Sequence, residues 1–80
     1  MTTLADLNLG QRARVSKVVG DDDLSLRLLE MGLTPDVEVM LLGRAPLGDP
    51  LDFEVRGYRL SLRRQEAALV EINAVESAEK

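Results

Sequence analysis

The chain has 80 residues, with 10 Lys and Arg against 14 Asp and Glu, a formal net charge of −4, and neither histidine nor cysteine. This composition excludes thiolate nucleophiles, disulfides, histidine bases, and the zinc, haem or iron–sulfur centres built on those ligands. One small acidic domain over residues 1–80 is the expectation, and without a covalent or metal staple it must be held by the packing of a single core.

Residues 11–19 alternate, with Ala13, Val15 and Val19 on one face and Arg12, Arg14 and Ser16 on the other. That period of two predicts a half-buried strand between turns at Gly10 and Gly20. Asp21, Asp22 and Asp23 then precede Leu24, Leu28 and Met31 at helical spacing, with Leu29 widening the stripe. Carboxylates at the start of such a helix accept from its unpaired N–H groups, and Gly32 can end it in a left-handed conformation while Leu33 packs back. Consecutive aspartates point apart and lack the alternating spacing that wraps a cation, so they read as a cap rather than as metal ligands. Pro35 stops the helix from resuming.

Residues 37–44 begin as alternation and become apolar on both faces, which predicts a central strand covered on its second face at Met40 and Leu42. Pro46, Gly48 and Pro50 make 45–50 a loop that exposes Leu47 unless another element covers it. Leu51, Phe53 and Val55 alternate with acidic residues, whereas Tyr58, Leu60 and Leu62 alternate with Arg59 and Ser61. The change of parity places a tight turn, or a bulge, at Arg56-Gly57. Residues 63–68 suit one helical turn before a last strand at 69–72, and 74–80 read as a frayed tail, leaving a core domain over about 9–73.

Five short strands can bury one core by curling into a small barrel. A helical turn just before the fifth strand is what SH3-like barrels have, with the helix after the first strand in the position of their long first loop. The fold class is therefore mainly β: a small five-stranded SH3-like barrel. No apolar stretch approaches the roughly 20 residues needed to span a bilayer, and the first residues lack a signal-peptide pattern, so the chain reads as cytoplasmic. Its acidic total argues against nucleic acid as a partner.

Two features could contact a partner. Arg56, Arg59, Arg63 and Arg64 gather near the hairpin and the following turn. They form either a solvated face paired with Asp52, Glu54 and Glu66, in pairs contributing ~0–1 kcal/mol each, or a docking patch for an acidic partner or an anionic membrane leaflet. Pro46 and Leu47 form a rigid loop with an apolar tip, suited to protein contact, although single exposed leucines are also ordinary. Ser61 and Arg63 lack the base and orienting group of a catalytic triad, and no phosphate-binding loop is present, so no catalysis is expected.

The segments Leu28-Leu29-Glu30-Met31-Gly32-Leu33-Thr34-Pro35, Ala45-Pro46-Leu47-Gly48-Asp49-Pro50, Phe53-Glu54-Val55-Arg56-Gly57-Tyr58 and Leu60-Ser61-Leu62-Arg63-Arg64, in this order and spacing, resemble the FeoA family. The likeness runs from Leu9 to Ile72. It departs at Asp36, where the family pattern usually has glycine, so this turn either takes a different geometry or relies on aspartate's tolerance of left-handed backbone. The resemblance implies a small SH3-like cytoplasmic protein that binds, and assists or regulates, the FeoB-type ferrous iron permease at the inner membrane, with no cofactor and no metal or catalytic residue. Pro46, Leu47, Arg56, Tyr58, Arg63 and Arg64 are the candidate partner-binding residues. Two other readings are a small nucleic-acid-binding barrel, in which Phe53 and Tyr58 are the only rings, and an iron-responsive regulator that holds the metal by carboxylates.

Overall fold

A computed structural model of the chain describes residues 2–20 and 22–76, and side chains as far as 73. The strands are β1 (Arg12–Val18), β2 (Glu38–Arg44), β3 (Leu51–Val55), β4 (Tyr58–Leu62) and β5 (Val70–Glu76). Helix α1 (Asp23–Glu30) follows β1, and the single turn α2 (Arg64–Ala67) precedes β5. All strands pair antiparallel in one sheet of order β4-β3-β2-β1-β5, so β4 and β5 are its edges. Alternation turns Ala13, Val15, Val39, Leu41, Leu51, Phe53 and Val55 into a common core, which Leu28 of α1 and Ala67 of α2 close.

The core begins earlier than the sequence suggests. Leu4 and Leu7 are fully buried while Leu9 is 58% exposed. A 3₁₀ turn at Leu4–Asp6 accounts for this: Thr3 Oγ1 accepts from Ala5 N at 3.2 Å, and Asp6 Oδ2 accepts from Thr3 N at 2.9 Å. One such turn is too short to leave a periodic signal. The chain end is also longer than expected, because β5 runs to Glu76, which partners Arg12. Residues 74–76 are thus strand rather than the start of a frayed tail, and 77–80 lie outside the described residues.

Two irregularities redirect side chains. The β1–β5 register shifts between Val15 and Lys17, so Val18 packs on the core and Val19 is exposed, the reverse of the simple alternation. The β2–β3 register shifts between Leu41 and Gly43, and Leu42 is exposed instead of covered, with Met40 half-buried.

Local turn chemistry follows the residues. Arg56 and Gly57 have φ of 53° and 87°, the two left-handed positions of a two-residue hairpin turn, and Val55 pairs with Tyr58 across it. Asp36 sits at φ 74°, after Pro35, in a turn closed by Val37 N donating to Thr34 O at 3.1 Å. A left-handed L-residue costs about 1–2 kcal/mol, whereas glycine there loses part of that gain to its freer unfolded chain. Asp36→Gly is therefore expected to raise stability by up to about 1 kcal/mol, read as a melting-temperature rise of a few degrees. A lower melting temperature would show that the carboxylate, not the backbone angle, matters at this turn.

Asp22 caps α1, accepting from Ser25 N at 3.1 Å. Buried Ser25 donates its hydroxyl to Val19 O at 2.8 Å and lies 3.1 Å from the same carboxylate, tying the helix start to the end of β1. The Ser25 backbone N–H, then its hydroxyl, hold the Asp22 carboxyl below its ordinary 3.8. Because the folded value is the lower one, the cap's contribution is complete above the unfolded value and is lost as pH falls through the folded one. Asn can still accept at this position, so Asp22→Asn should lose less melting temperature than the parent between about pH 5 and pH 2. Parallel acid melts of the two proteins would count against this cap.

Candidate docking surface

The 45–50 loop leaves the sheet between β2 and β3. Ala45 N donates to Pro50 O at 3.0 Å and Gly48 N to Ala45 O at 2.7 Å, so its base is closed and its tip is a tight turn with Gly48 at φ 86°. Leu47 occupies that tip and is 96% exposed. Pro46 fixes the backbone just before it.

Helix α2 starts beside this loop. Its first residues lack a good local cap, since Arg63 stands where Ser, Thr, Asp or Asn would accept from the helix N–H groups. The acceptor comes from a distance instead: Asp49 Oδ1 takes the Arg64 N–H at 2.9 Å, across 15 positions of sequence. Arg63 N donates to Glu66 Oε1 at 2.8 Å. The loop and the helical turn are thereby held together. The Arg64 guanidinium lies 3.8 Å from where a Cβ on Gly48 would stand. Arg64 thus lies against the loop that carries Pro46 and Leu47, and Arg63 precedes it at the start of α2 with its side chain exposed.

Arg56 and Tyr58 lie elsewhere. In the β3–β4 ladder, Leu51 faces Leu62 at the loop end and Val55 faces Tyr58 at the hairpin end, about 13 Å away along the strand. The sequence neighbourhood of the four arginines thus splits in space. Arg56 lines a shallow concavity of about 250 Å³ with Arg12, Glu38, Met40, Glu54 and Gly57, where two cations and two carboxylates offset one another. Tyr58 is 48% exposed, yet its hydroxyl donates to Met31 O at 2.8 Å and satisfies a carbonyl at the end of α1. Asp52 accepts from the Ser61 hydroxyl, and Glu66 is taken by the Arg63 backbone.

The residue that sequence reasoning missed is Asp49. Its signal, an aspartate fifteen positions upstream of an uncapped helical turn, exists only once the β3–β4 hairpin has folded the two together. Among the described residues no three His, Cys, Asp or Glu side chains lie close enough to hold a metal ion, and no helix is long and apolar enough to cross a membrane. Around Leu47 the surface combines an exposed apolar side chain with an exposed guanidinium.

Residues 2–74 match the family model described as the FeoA domain. The chain is 34% identical over 74 residues to the Fe(2+) transport protein A/Fe(2+) transporter FeoB fusion protein of Porphyromonas gingivalis, a match that takes in 92% of this chain and 9% of that protein's length. Among solved structures, Stenotrophomonas maltophilia FeoA, described as a prokaryotic SH3 domain protein, superimposes with a TM-score of 0.87 at 31% identity, covering 98% of this chain and 99% of its own. Iron(II) transport protein A of Clostridium thermocellum gives 0.84 at 32% identity, over 89% of this chain and 44% of that one. The fold is accordingly SH3-like, as expected from the element order, with the hydrogen-bonded ladder left open between β4 and β5.

Proposed function

We propose that this chain, which belongs to the FeoA domain family, is a non-catalytic accessory of ferrous iron uptake that docks on the cytoplasmic face of a FeoB-type permease. The observation that carries this reading is the Porphyromonas gingivalis relative, in which a similar domain and the transporter share one polypeptide. A covalent link keeps two modules at high effective concentration, and separate chains that work together must replace that link with contact. The Stenotrophomonas maltophilia relative has likewise been put forward as a ferrous iron transport activating factor. The absence of histidine and cysteine from the sequence supports a role in contact rather than chemistry.

Of the candidate residues, Leu47 on its Pro46-stiffened loop is the anchor, and Arg63 and Arg64 orient the encounter with an acidic face of the permease. Burying one leucine supplies about 1.5–3 kcal/mol, and flanking charges act mostly on association rate. Leu47→Asp is expected to leave the fold intact and weaken copurification with the permease from membranes by at least about tenfold. The pair Arg63→Glu and Arg64→Glu should weaken it in a salt-dependent way. Undiminished copurification of both variants would remove this surface from the interface. Normal ferrous uptake under iron limitation in cells lacking the chain would remove the function itself.

A further inference from the structure

The two edges of the sheet are treated differently. β5 is partly covered by the chain's own beginning: Thr3 bridges to Glu71, and Ile72 N donates to Thr2 O at 2.9 Å. Among the described residues β4 has no such cover. A two-residue hairpin turn makes Val55 and Tyr58 a hydrogen-bonded pair, so by alternation Leu60 and Leu62 also bond to β3. The N–H and C=O groups of Arg59 and Ser61 must then point away from the sheet. Among the described residues no backbone group pairs with them.

From this we infer that the β4 edge is a strand-acceptor site for an extended segment of another protein in which acidic and apolar residues alternate. Strand addition to an exposed edge takes its affinity from main-chain hydrogen bonds and its specificity from alternate side chains. The edge is suited to it: all five β3–β4 pairs from Leu51↔Leu62 to Val55↔Tyr58 follow without a register shift, and the strand holds no proline.

The side chains define the occupant. Across the solvent face one row of the sheet reads Arg12, Met40, Glu54, Arg59, so the next position, on the added strand, calls for a carboxylate. On the other face Leu60 is only partly buried where it meets the core, and an apolar residue beside it would finish that burial. A second copy of this chain suits the edge poorly. Antiparallel β4 strands centred on Ser61 would set Arg59 against Arg63, like charge against like, strands centred on Leu60 would set Arg59 against Ser61 and give it no carboxylate, and the other edge is already occupied near Glu71. The inference rests on the free edge and holds whether or not the partner is the permease.

The test is a titration of the isotope-labelled full chain with a blocked peptide of sequence Thr-Glu-Val-Glu-Val-Glu-Thr, read by amide shifts and hydrogen exchange. The Arg59 and Ser61 amides should move together, saturate and gain protection. Arg59→Glu should weaken the peptide by about tenfold and favour the analogue with lysine in place of glutamate. Ser61→Pro removes an outward N–H that the β3 ladder does not use, and should abolish binding, whereas Ser61→Ala should retain it. If Ser61→Pro does not fold, Arg59→Glu and the exchange protection decide alone. Equal affinity in the Arg59→Glu protein, shifts confined to the 45–50 loop, or shifts that follow protein concentration without peptide, as self-association would give, would each overturn the inference.

Discussion

Phe53→Ala is expected to lower the melting temperature by about 15 °C or more and to leave the chain partly unfolded under growth conditions. Phe53 is the only phenylalanine of the chain and is fully buried. It stands at the middle of β3, opposite Leu41 on β2 and Leu60 on β4, so its ring fills the centre of the three-stranded part of the core. Removing a buried ring costs about 3–5 kcal/mol, which includes the cavity that a tightly tied strand cannot collapse into. A domain of this size without disulfide or metal has about 5 kcal/mol in total. Phe53→Leu, which keeps most of the volume, should cost less than about 1.5 kcal/mol. Urea or thermal melts followed by circular dichroism separate the two, and an alanine variant within 1 kcal/mol of the parent, about 5 °C, would show that the core does not centre on this ring.

Gly32→Ala should cost about 2–3 kcal/mol for two separable reasons. Gly32 has φ 106°, past the end of α1, where Leu33 N donates to Leu28 O at 3.3 Å and closes the helix. An L-residue there bears a left-handed backbone cost. An added Cβ would also stand 2.6 Å from the Tyr58 hydroxyl, which must move and release Met31 O. Tyr58 is half exposed and can swing outward, so the second cost is limited to the lost hydrogen bond, about 1 kcal/mol. In a Tyr58→Phe background that part is already gone, and Gly32→Ala should cost about 1 kcal/mol less there. Strict additivity of the two substitutions would mean that the hydroxyl and the glycine do not meet. Tyr58 is in this light an anchor for the helix end, which is why the proposed interface is centred on Leu47 rather than on it.

The elements most legible in the sequence were those whose signal is local. The aspartate cap of α1, the Gly32 stop and the Arg56-Gly57 turn all depend on one residue's own backbone or on a partner within four positions. The exposed Leu47 was legible for the same reason, because two prolines and a glycine within six residues exclude any continuing strand. What was hidden depended on register. A shift between Val15 and Lys17 turned Val18 inward and Val19 outward, and another between Leu41 and Gly43 exposed Leu42, although the residue pattern on either side looks regular.

The amino-acid order by itself determined the number and sequence of strands, the placement of both helices, the class of chemistry available and the family, since each follows from residue type and spacing along one line. Only the tertiary structure decided which charged groups share a surface. Arg56 and Arg64 are eight positions apart in the chain yet are held at opposite ends of the β3–β4 ladder, whereas the Asp49 carboxylate and the Arg64 backbone N–H, fifteen apart, meet at 2.9 Å. The physical reason is that a hairpin returns the chain to its starting level, so distance across a sheet is fixed by pairing register and not by separation in sequence.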